Sequence, residues 1–160
     1  MTLEKTLLQK VPEWRPAPGE REMLSVVSED GIWCARLTAD RCEELGVALW
    51  DVRLERIDSP INLTNEQLVA WAEKIAQVPS VLEPLALVEI DKIRGRAQIR
   101  SATPTLREGR QLYYEILISR TGKVDVRRFG ASGTEREQVV YVLTHENLGR
   151  LASQLTEIAI

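Results

Sequence analysis

The chain contains two similar six-residue segments, Leu-Thr-Asn-Glu-Gln-Leu at residues 63–68 and Leu-Thr-His-Glu-Asn-Leu at residues 143–148. In each segment a threonine at the N-cap position separates a strand-like run from an apolar-striped helix. The flanking leucines can form a hydrophobic staple, and Gln67 can complete a capping box with Thr64. The pattern predicts two main helices, at residues 65–78 and 145–158.

The similarity continues along both predicted helices, where Trp71 of the first corresponds to Leu151 of the second. Strand-like segments precede each helix, so we expect two similar βββα halves, at about residues 20–79 and 85–160. Duplication would explain this similarity. Convergence would explain it as well, because a stapled threonine cap is a common way to begin a helix.

Alternating apolar and polar residues predict strands in both halves. The clearest strand covers residues 47–57, in which Ala48, Trp50, Val52 and Leu54 should face the core and Asp51, Arg53 and Glu55 the solvent. Glycine in Asp30-Gly31 and at Gly122 marks two hairpin turns, since such turns require a positive φ. The other predicted strands are residues 23–28, 32–37, 85–101 (bent or turned near residue 91 or 95), 111–119, 123–129 and 138–143. The predicted connections are residues 38–46, 102–109 and 130–136.

These elements predict an α+β fold in a single domain, residues 1–160. A strand with one apolar and one polar face is typical of an antiparallel sheet that is covered on one side. We therefore expect a mostly antiparallel sheet of six to eight strands with the two main helices on one face. A short N-terminal helix, at about residues 2–11, should lie at the edge.

Composition and charge limit the function classes. The 160 residues are 44% hydrophobic and 28% charged, which is ordinary globular composition. No apolar run reaches the ~20 residues of a membrane-spanning helix, and the first residues lack a secretory signal pattern. A net charge of −3 argues against a general nucleic-acid binder. Two cysteines do not form a disulfide framework, so we expect a protein of the bacterial cytoplasm.

Candidate catalytic residues are few. His145 is the only histidine, and at the first position of a helix the dipole would keep its ring neutral. No serine or cysteine partner is identifiable from the sequence, so a solvent-exposed first-turn residue is the preferred interpretation. Cys34 and Cys42 lack the paired spacing of a zinc site. No phosphate-binding loop or dinucleotide fingerprint is present, and we expect no catalytic residues, cofactor or metal.

The most notable polar set combines arginines of one predicted strand with arginines and a tyrosine of a neighbouring hairpin: Arg94, Arg96, Arg100, Arg127, Arg128 and Tyr113. If these strands pair, the shared surface would suit an acidic peptide, a phosphorylated group or a nucleic-acid backbone. The alternative is a solvated sheet face whose arginines pair with acids of adjacent strands, namely Glu89, Asp91, Glu115 and Asp125.

Three functional hypotheses follow. The first is a non-enzymatic binding or adaptor module with a protein or peptide partner, forming a homodimer, to which Trp14 in its proline-flanked linker would contribute a partner contact. The second is an anion- or nucleic-acid-binding module that uses the arginine-rich sheet face. The third is an enzyme with an unrecognised site near His145.

In size, acidity and the order helix–strands–helix–strands–helix, the chain is similar to secretion-chaperone-type carriers of effector proteins. The resemblance covers this order of elements and no motif. The additional strands predicted after residue 85 depart from the pattern. What the resemblance implies is a chaperone-like binding role, and fold-level similarity alone does not determine a function.

Overall fold

The computed structural model describes residues 2–17, 19–78 and 80–157, which form three α-helices and ten β-strands. The helices are α1 (Thr2–Lys10), α2 (Asn65–Gln77) and α3 (His145–Leu155). The strands before α2 are β1 (Glu22–Val27), β2 (Trp33–Cys42) and β3 (Gly46–Arg56). The strands after α2 are β4 (Leu85–Asp91), β5 (Arg96–Ser101), β6 (Thr105–Arg107), β7 (Arg110–Ser119), β8 (Lys123–Ser132), β9 (Glu135–Val139) and β10 (Tyr141–Thr144).

All these strands belong to one antiparallel sheet with the main order β1-β2-β3-β8-β7-β5-β4. The predicted α+β fold with a mostly antiparallel sheet is confirmed. The predicted count of six to eight strands is too low, because parts of two predicted loops, residues 102–109 and 130–136, pair with their neighbours. The side chains of β6 are exposed throughout and those of β9 mostly so. Such strands lack the apolar alternation that reveals a strand in sequence.

The two halves share their helix starts but not their strand number. Three strands precede α2, whereas seven strands lie between α2 and α3, so the βββα description fits the first half only. Both threonine caps form: Thr64 Oγ1 accepts from the Gln67 N–H, and Thr144 Oγ1 from the Asn147 N–H, each at 3.1 Å. Only Thr64 has a complete capping box. The predicted end of the last helix, residue 158, lies outside the described residues.

Strands β9 and β10 fill a fork in the middle of the sheet. Strands β3 and β8 pair over four residue pairs and then separate, after which β9 pairs with β8 and β10 with β3. Two side chains bridge the fork. The Gln138 amide donates to the Trp50 carbonyl at 2.9 Å, and the Tyr141 hydroxyl donates to the Val126 carbonyl at 3.0 Å. These bonds fix the register of β3 and β8 at the centre of the sheet.

Buried apolar side chains from the sheet and from all three helices form one cluster. The Trp71 indole N–H donates to the Leu155 carbonyl at 3.0 Å and joins α2 to the end of α3. Helices α1 and α3 approach closely, since a Cβ at Gly149 would lie 3.2 Å from Glu4 Cγ. We call the sheet face that contributes to this cluster the core face.

A bulge in β3 overturns the predicted position of Trp50. Thr38 pairs with Asp51 but Ala39 pairs with Leu49, so Trp50 is an extra residue in its strand. The bulge shifts the alternation, and Val47 and Leu49 are buried instead. Trp50 is only partly buried, and the Arg21 guanidinium lies 3.7 Å from its ring centroid. The predicted connection at residues 38–46 was also wrong, because β2 continues through most of it.

Candidate functional site

The side chains that point away from the core face of β2, β3, β5, β7 and β8 form a surface that we call the polar face. The register places them in three rows across the strands. The first row runs Arg96, Ser119, Lys123 and Glu55. The second runs Gln98, Leu117, Asp125, Arg53 and Arg36. The third contains Arg100, Glu115 and Arg127.

The first row, the second row except Gln98, and Arg127 line an open depression of about 530 Å³. Its wall contains five cationic side chains, Arg36, Arg53, Arg96, Lys123 and Arg127. It contains two acidic side chains, Glu55 and Asp125. The depression therefore has a surplus of positive charge, although the whole chain has a net charge of −3.

Three of the five cations have acidic partners. Arg36 pairs with Glu55 at 3.0 Å and Arg127 with Asp125 at 2.8 Å. Arg53 Nη2 lies 3.4 Å from the Asp51 carboxylate. Within the described ranges, Arg96 and Lys123 form neither an ion pair nor a side-chain hydrogen bond. The surplus charge of the depression is therefore carried by these two side chains.

The floor of the polar face buries charged groups. Asp51 is 3% exposed, and its Oδ1 atom has no hydrogen-bond partner among the described residues. The same holds for Asp125 Oδ1 and for Arg127 Nε, which belongs to the wall of the depression. Burial raises the pKa of the Asp125 carboxyl, and the Arg127 guanidinium opposes this shift. Buried polar atoms without partners are uncommon in proteins and identify this floor as an incompletely satisfied surface.

The carboxylate of Glu115, in the third row, is satisfied by its own neighbours. Glu115 is 5% exposed, accepts a hydrogen bond from Arg136 at 3.1 Å and lies 3.7 Å from Arg100. It also accepts a hydrogen bond from Gln98. Arg136 donates to the Tyr113 hydroxyl at 3.1 Å, and Arg100 lies 5.3 Å from the Tyr113 ring centroid. Glu115 is thus the centre of a closed network, and the charge without an acidic partner among the described residues lies at the other end of the face.

The structure brings together four of the seven residues that the sequence singled out. Arg96, Arg100, Arg127 and Tyr113 share the polar face. The other three lie away from the polar face, each in a different place. Arg94 lies in the turn between β4 and β5, 3.9 Å from Asp91. Arg128 lies on the opposite side of β8, over the Tyr114 ring at 4.6 Å, and Trp14 packs against the core.

The residues that sequence reasoning missed are Arg36, Arg53 and Lys123, which come from two other strands and a hairpin end. Arg53 was correctly placed on the solvent side of its strand, but nothing local showed which strands would lie beside it. The neighbour is β8, which follows β3 by almost seventy residues and whose Asp125 is opposite Arg53.

His145, the only candidate base, is buried beside Cys42. The two residues are 8% and 7% exposed, and His145 Nε2 lies 3.8 Å from Cys42 Sγ. The expected solvent exposure of His145 was therefore wrong, because α3 begins against the end of β2. The Cys42 thiol donates to the Val11 carbonyl at 3.3 Å, and burial raises its pKa. Both features favour the protonated thiol, which is a weak nucleophile.

Further comparisons add no other site. Among the described residues, no three histidine, cysteine or acidic side chains come together in a group that could hold a metal ion. In the same part of the chain, no helix has both the length and the apolar character needed to cross a membrane. Comparison of the chain with protein-family models, with curated proteins and with solved structures finds no match.

Proposed function

We propose that the protein is a non-enzymatic binding module that holds an acidic peptide segment of a partner protein on its polar face. The observation that carries this proposal is the depression with five cationic and two acidic side chains, in which Arg96 and Lys123 have no acidic partner among the described residues. A carboxylate from a partner would neutralise cations that the chain itself leaves uncompensated.

The construction of the face supports this role. Its strands are held by backbone pairing on both sides and by the bonds that bridge the fork, so a ligand meets a surface with a fixed register. Preorganised side chains lose less conformational entropy on binding. Arg36, Arg53 and Arg127 are already oriented by ion pairs. Their remaining N–H groups can donate to a ligand in a defined direction.

The distribution of charge favours a short acidic segment over a nucleic acid. Glu55 and Asp125 lie inside the depression, and Glu89 and Asp91 line a second depression of about 240 Å³ beside it. A long phosphate backbone crossing the face would pass these carboxylates and be repelled. A segment with a few acidic residues can place its charges on Arg96 and Lys123 alone.

A carrier role of the chaperone-like kind is compatible with this surface, because a carrier must hold an extended segment without reacting with it. Cys34 and Cys42 are free and buried thiols, which suits a reducing compartment such as the cytoplasm. The homodimer remains a prediction. It would use β1 or β4, the two strands that end the main order of the sheet.

The test is a titration of the ¹⁵N-labelled protein with a short peptide rich in Asp and Glu, followed by amide chemical shifts. We expect the largest shifts in β3, β5, β7 and β8, at the residues that line the depression. A basic peptide of the same length is the control and should cause no such shifts. Shifts confined to other surfaces, or none at millimolar peptide, would contradict the proposal.

A further inference from the structure

We infer that Arg96, Ser119 and Lys123 form a subsite for a phosphomonoester, supplied by a phosphorylated side chain of the bound segment. This inference rests on the proposed function, because it names the chemistry that the same face prefers. The three residues follow one another in the first row of the polar face, with the serine between the two cations.

The register sets the geometry of the subsite. Arg96 is opposite Ser119 on the neighbouring strand, and Ser119 and Lys123 are the last and first residues of β7 and β8. Adjacent strands lie about 4.8 Å apart, so the two cations start about 10 Å apart. Their long side chains can converge on a group above Ser119. The Ser119 hydroxyl lies at the surface, 2.8 Å from Thr121 Oγ1, and can turn to donate to that group.

Charge decides between a phosphate and a carboxylate. Arg36, Arg53 and Arg127 are neutralised by acids of the chain, which leaves the depression with two positive charges that have no partner in the part of the chain that the structure describes. A phosphomonoester carries a charge of about −1.5 to −2 near neutral pH and has three strong acceptor oxygens. A single carboxylate would leave one of the two cations uncompensated, and a phosphodiester would do the same.

Other charged groups face this subsite from the neighbouring strands. Asp91 of β4 is opposite Arg96 in the register, and its carboxylate lies 3.9 Å from Arg94. Glu55 of β3 is opposite Lys123 and is held by Arg36 at 3.0 Å. Asp125 lies in the next row beside Arg127. Asp91, Glu55 and Asp125 each have a cation of their own, so they leave Arg96 and Lys123 available to the ligand.

The experiment compares three peptides of one acidic sequence that differ at a central position, which is serine, phosphoserine or glutamate. Binding is measured by fluorescence anisotropy at about pH 7.5 and about pH 5, on either side of the second phosphate pKa of about 6. We expect the phosphoserine peptide to bind about tenfold more tightly than the glutamate peptide at the higher pH. The advantage should shrink at the lower pH. The glutamate peptide reports any titration of the protein itself.

The double variant Arg96→Ala/Lys123→Ala should remove the preference for phosphoserine. The matched control is Lys5→Ala/Arg150→Ala, which removes the same charge from exposed positions on α1 and α3 and should keep the preference. This control separates a local contact from long-range attraction.

Each outcome separates the inference from the proposal beneath it. Equal binding of the phosphoserine and glutamate peptides would overturn the inference and leave the acidic-peptide proposal standing. If none of the peptides bound, the proposed function would fall as well. A single-stranded oligonucleotide of the same length that bound more tightly than the phosphopeptide would overturn the inference in favour of a nucleic acid. Inorganic phosphate binding as tightly as the phosphopeptide would identify a free anion as the ligand and overturn the peptide part.

Discussion

The two faces of the sheet bury their residues by different means, as two adjacent residues of β7 show. Ile116 is 0% exposed on the core face, where its neighbours are apolar side chains. Glu115 is 5% exposed on the polar face, where arginines and Gln98 cover it. Burial on the core face stabilises the fold through the hydrophobic effect. Burial on the polar face confines charged groups to fixed positions, which contributes little stability and prepares a binding surface.

The largest expected difference between the faces is in the cost of removing an apolar side chain. Ile116→Ala should lower the free energy of unfolding by about 2–5 kcal/mol, because it leaves a cavity in a close-packed core. Leu117→Ala removes a partly exposed side chain from the wall of the depression and should cost under about 1 kcal/mol. Urea unfolding monitored by tryptophan fluorescence measures both. Equal costs would mean that the polar face is packed as tightly as the core.

The next effect concerns the closed network around Glu115. Glu115→Gln leaves Arg100 and Arg136 without their carboxylate and should cost about 2 kcal/mol, or a fall in Tm of about 6 °C for a chain of this size. Glu137→Gln is the control, since Glu137 pairs with Arg110 at 2.6 Å but its side chain is 71% exposed. That exposed ion pair should contribute under about 1 kcal/mol to the free energy of unfolding. The comparison fails if calorimetry gives similar Tm shifts for the two variants.

A smaller effect depends on pH. Because burial raises the pKa of the Asp125 carboxyl, this group binds a proton more readily in the folded protein than in the unfolded chain. Asp125 therefore makes the fold less stable as the pH rises through the window above about 4. Asp125→Asn abolishes this slope, so its stability relative to the parent should improve as the pH rises from about 4 to about 6.

Asp58 provides the opposite control for the pH series, because Arg56, at 2.8 Å, lowers the pKa of its carboxyl. Its contribution is present above the ordinary carboxyl range and is lost as the pH falls. Relative to the parent, Asp58→Asn should therefore become less destabilised as the pH falls. Slopes of the same sign in the two variants, measured by urea unfolding at several pH values, would refute the assignment for Asp125.

The smallest expected effect on stability is that of the two free cations. Arg96→Ala/Lys123→Ala should change the free energy of unfolding by less than about 0.5 kcal/mol, because neither side chain has an acidic partner to lose within residues 2–17, 19–78 and 80–157. Removal of two like charges from one surface also relieves repulsion, which would raise the free energy of unfolding by at most about a few tenths of a kcal/mol. If urea unfolding showed the free energy of unfolding to fall by more than about 1 kcal/mol, these two side chains would be stabilising the fold.

Local patterns predicted the elements of this fold well where a pattern was strong. Both threonine caps, the turn at Gly31 (φ 73°) and the turn at Gly122 (φ 81°) lie where the sequence placed them. At Gly122 the positive φ is what favours glycine, because the Ile61 Cδ1 atom, 2.8 Å from a Cβ placed there, is the movable end of a side chain. Weak patterns failed. The short, exposed strand β6 has no alternation to recognise, and the bulge at Trp50 depends on its pairing with β2.

The candidate site was predictable only in part. The strand alternation correctly put Arg96 and Arg100 on one side of β5, whereas Arg128, which was grouped with Arg127, lies on the opposite side of β8. The alternative in which arginines pair with acids of adjacent strands holds for Arg100, which pairs with Glu115 of β7, whereas Arg127 pairs with Asp125 of its own strand. Sequence did not distinguish these paired residues from Arg96 and Lys123, because a cross-strand ion pair depends on which strand lies alongside.

By itself, the sequence determined where helices begin, where hairpins turn and which residues of a strand alternate, since these features depend on neighbours within a few positions along the chain. The tertiary structure decided the rest. It placed β8 beside β3, gathered cations from four strands around one depression, and brought Cys42 and His145 together from 103 positions apart. Such contacts follow from strand order, which is set by the packing of the whole sheet and leaves no mark in any short stretch of sequence.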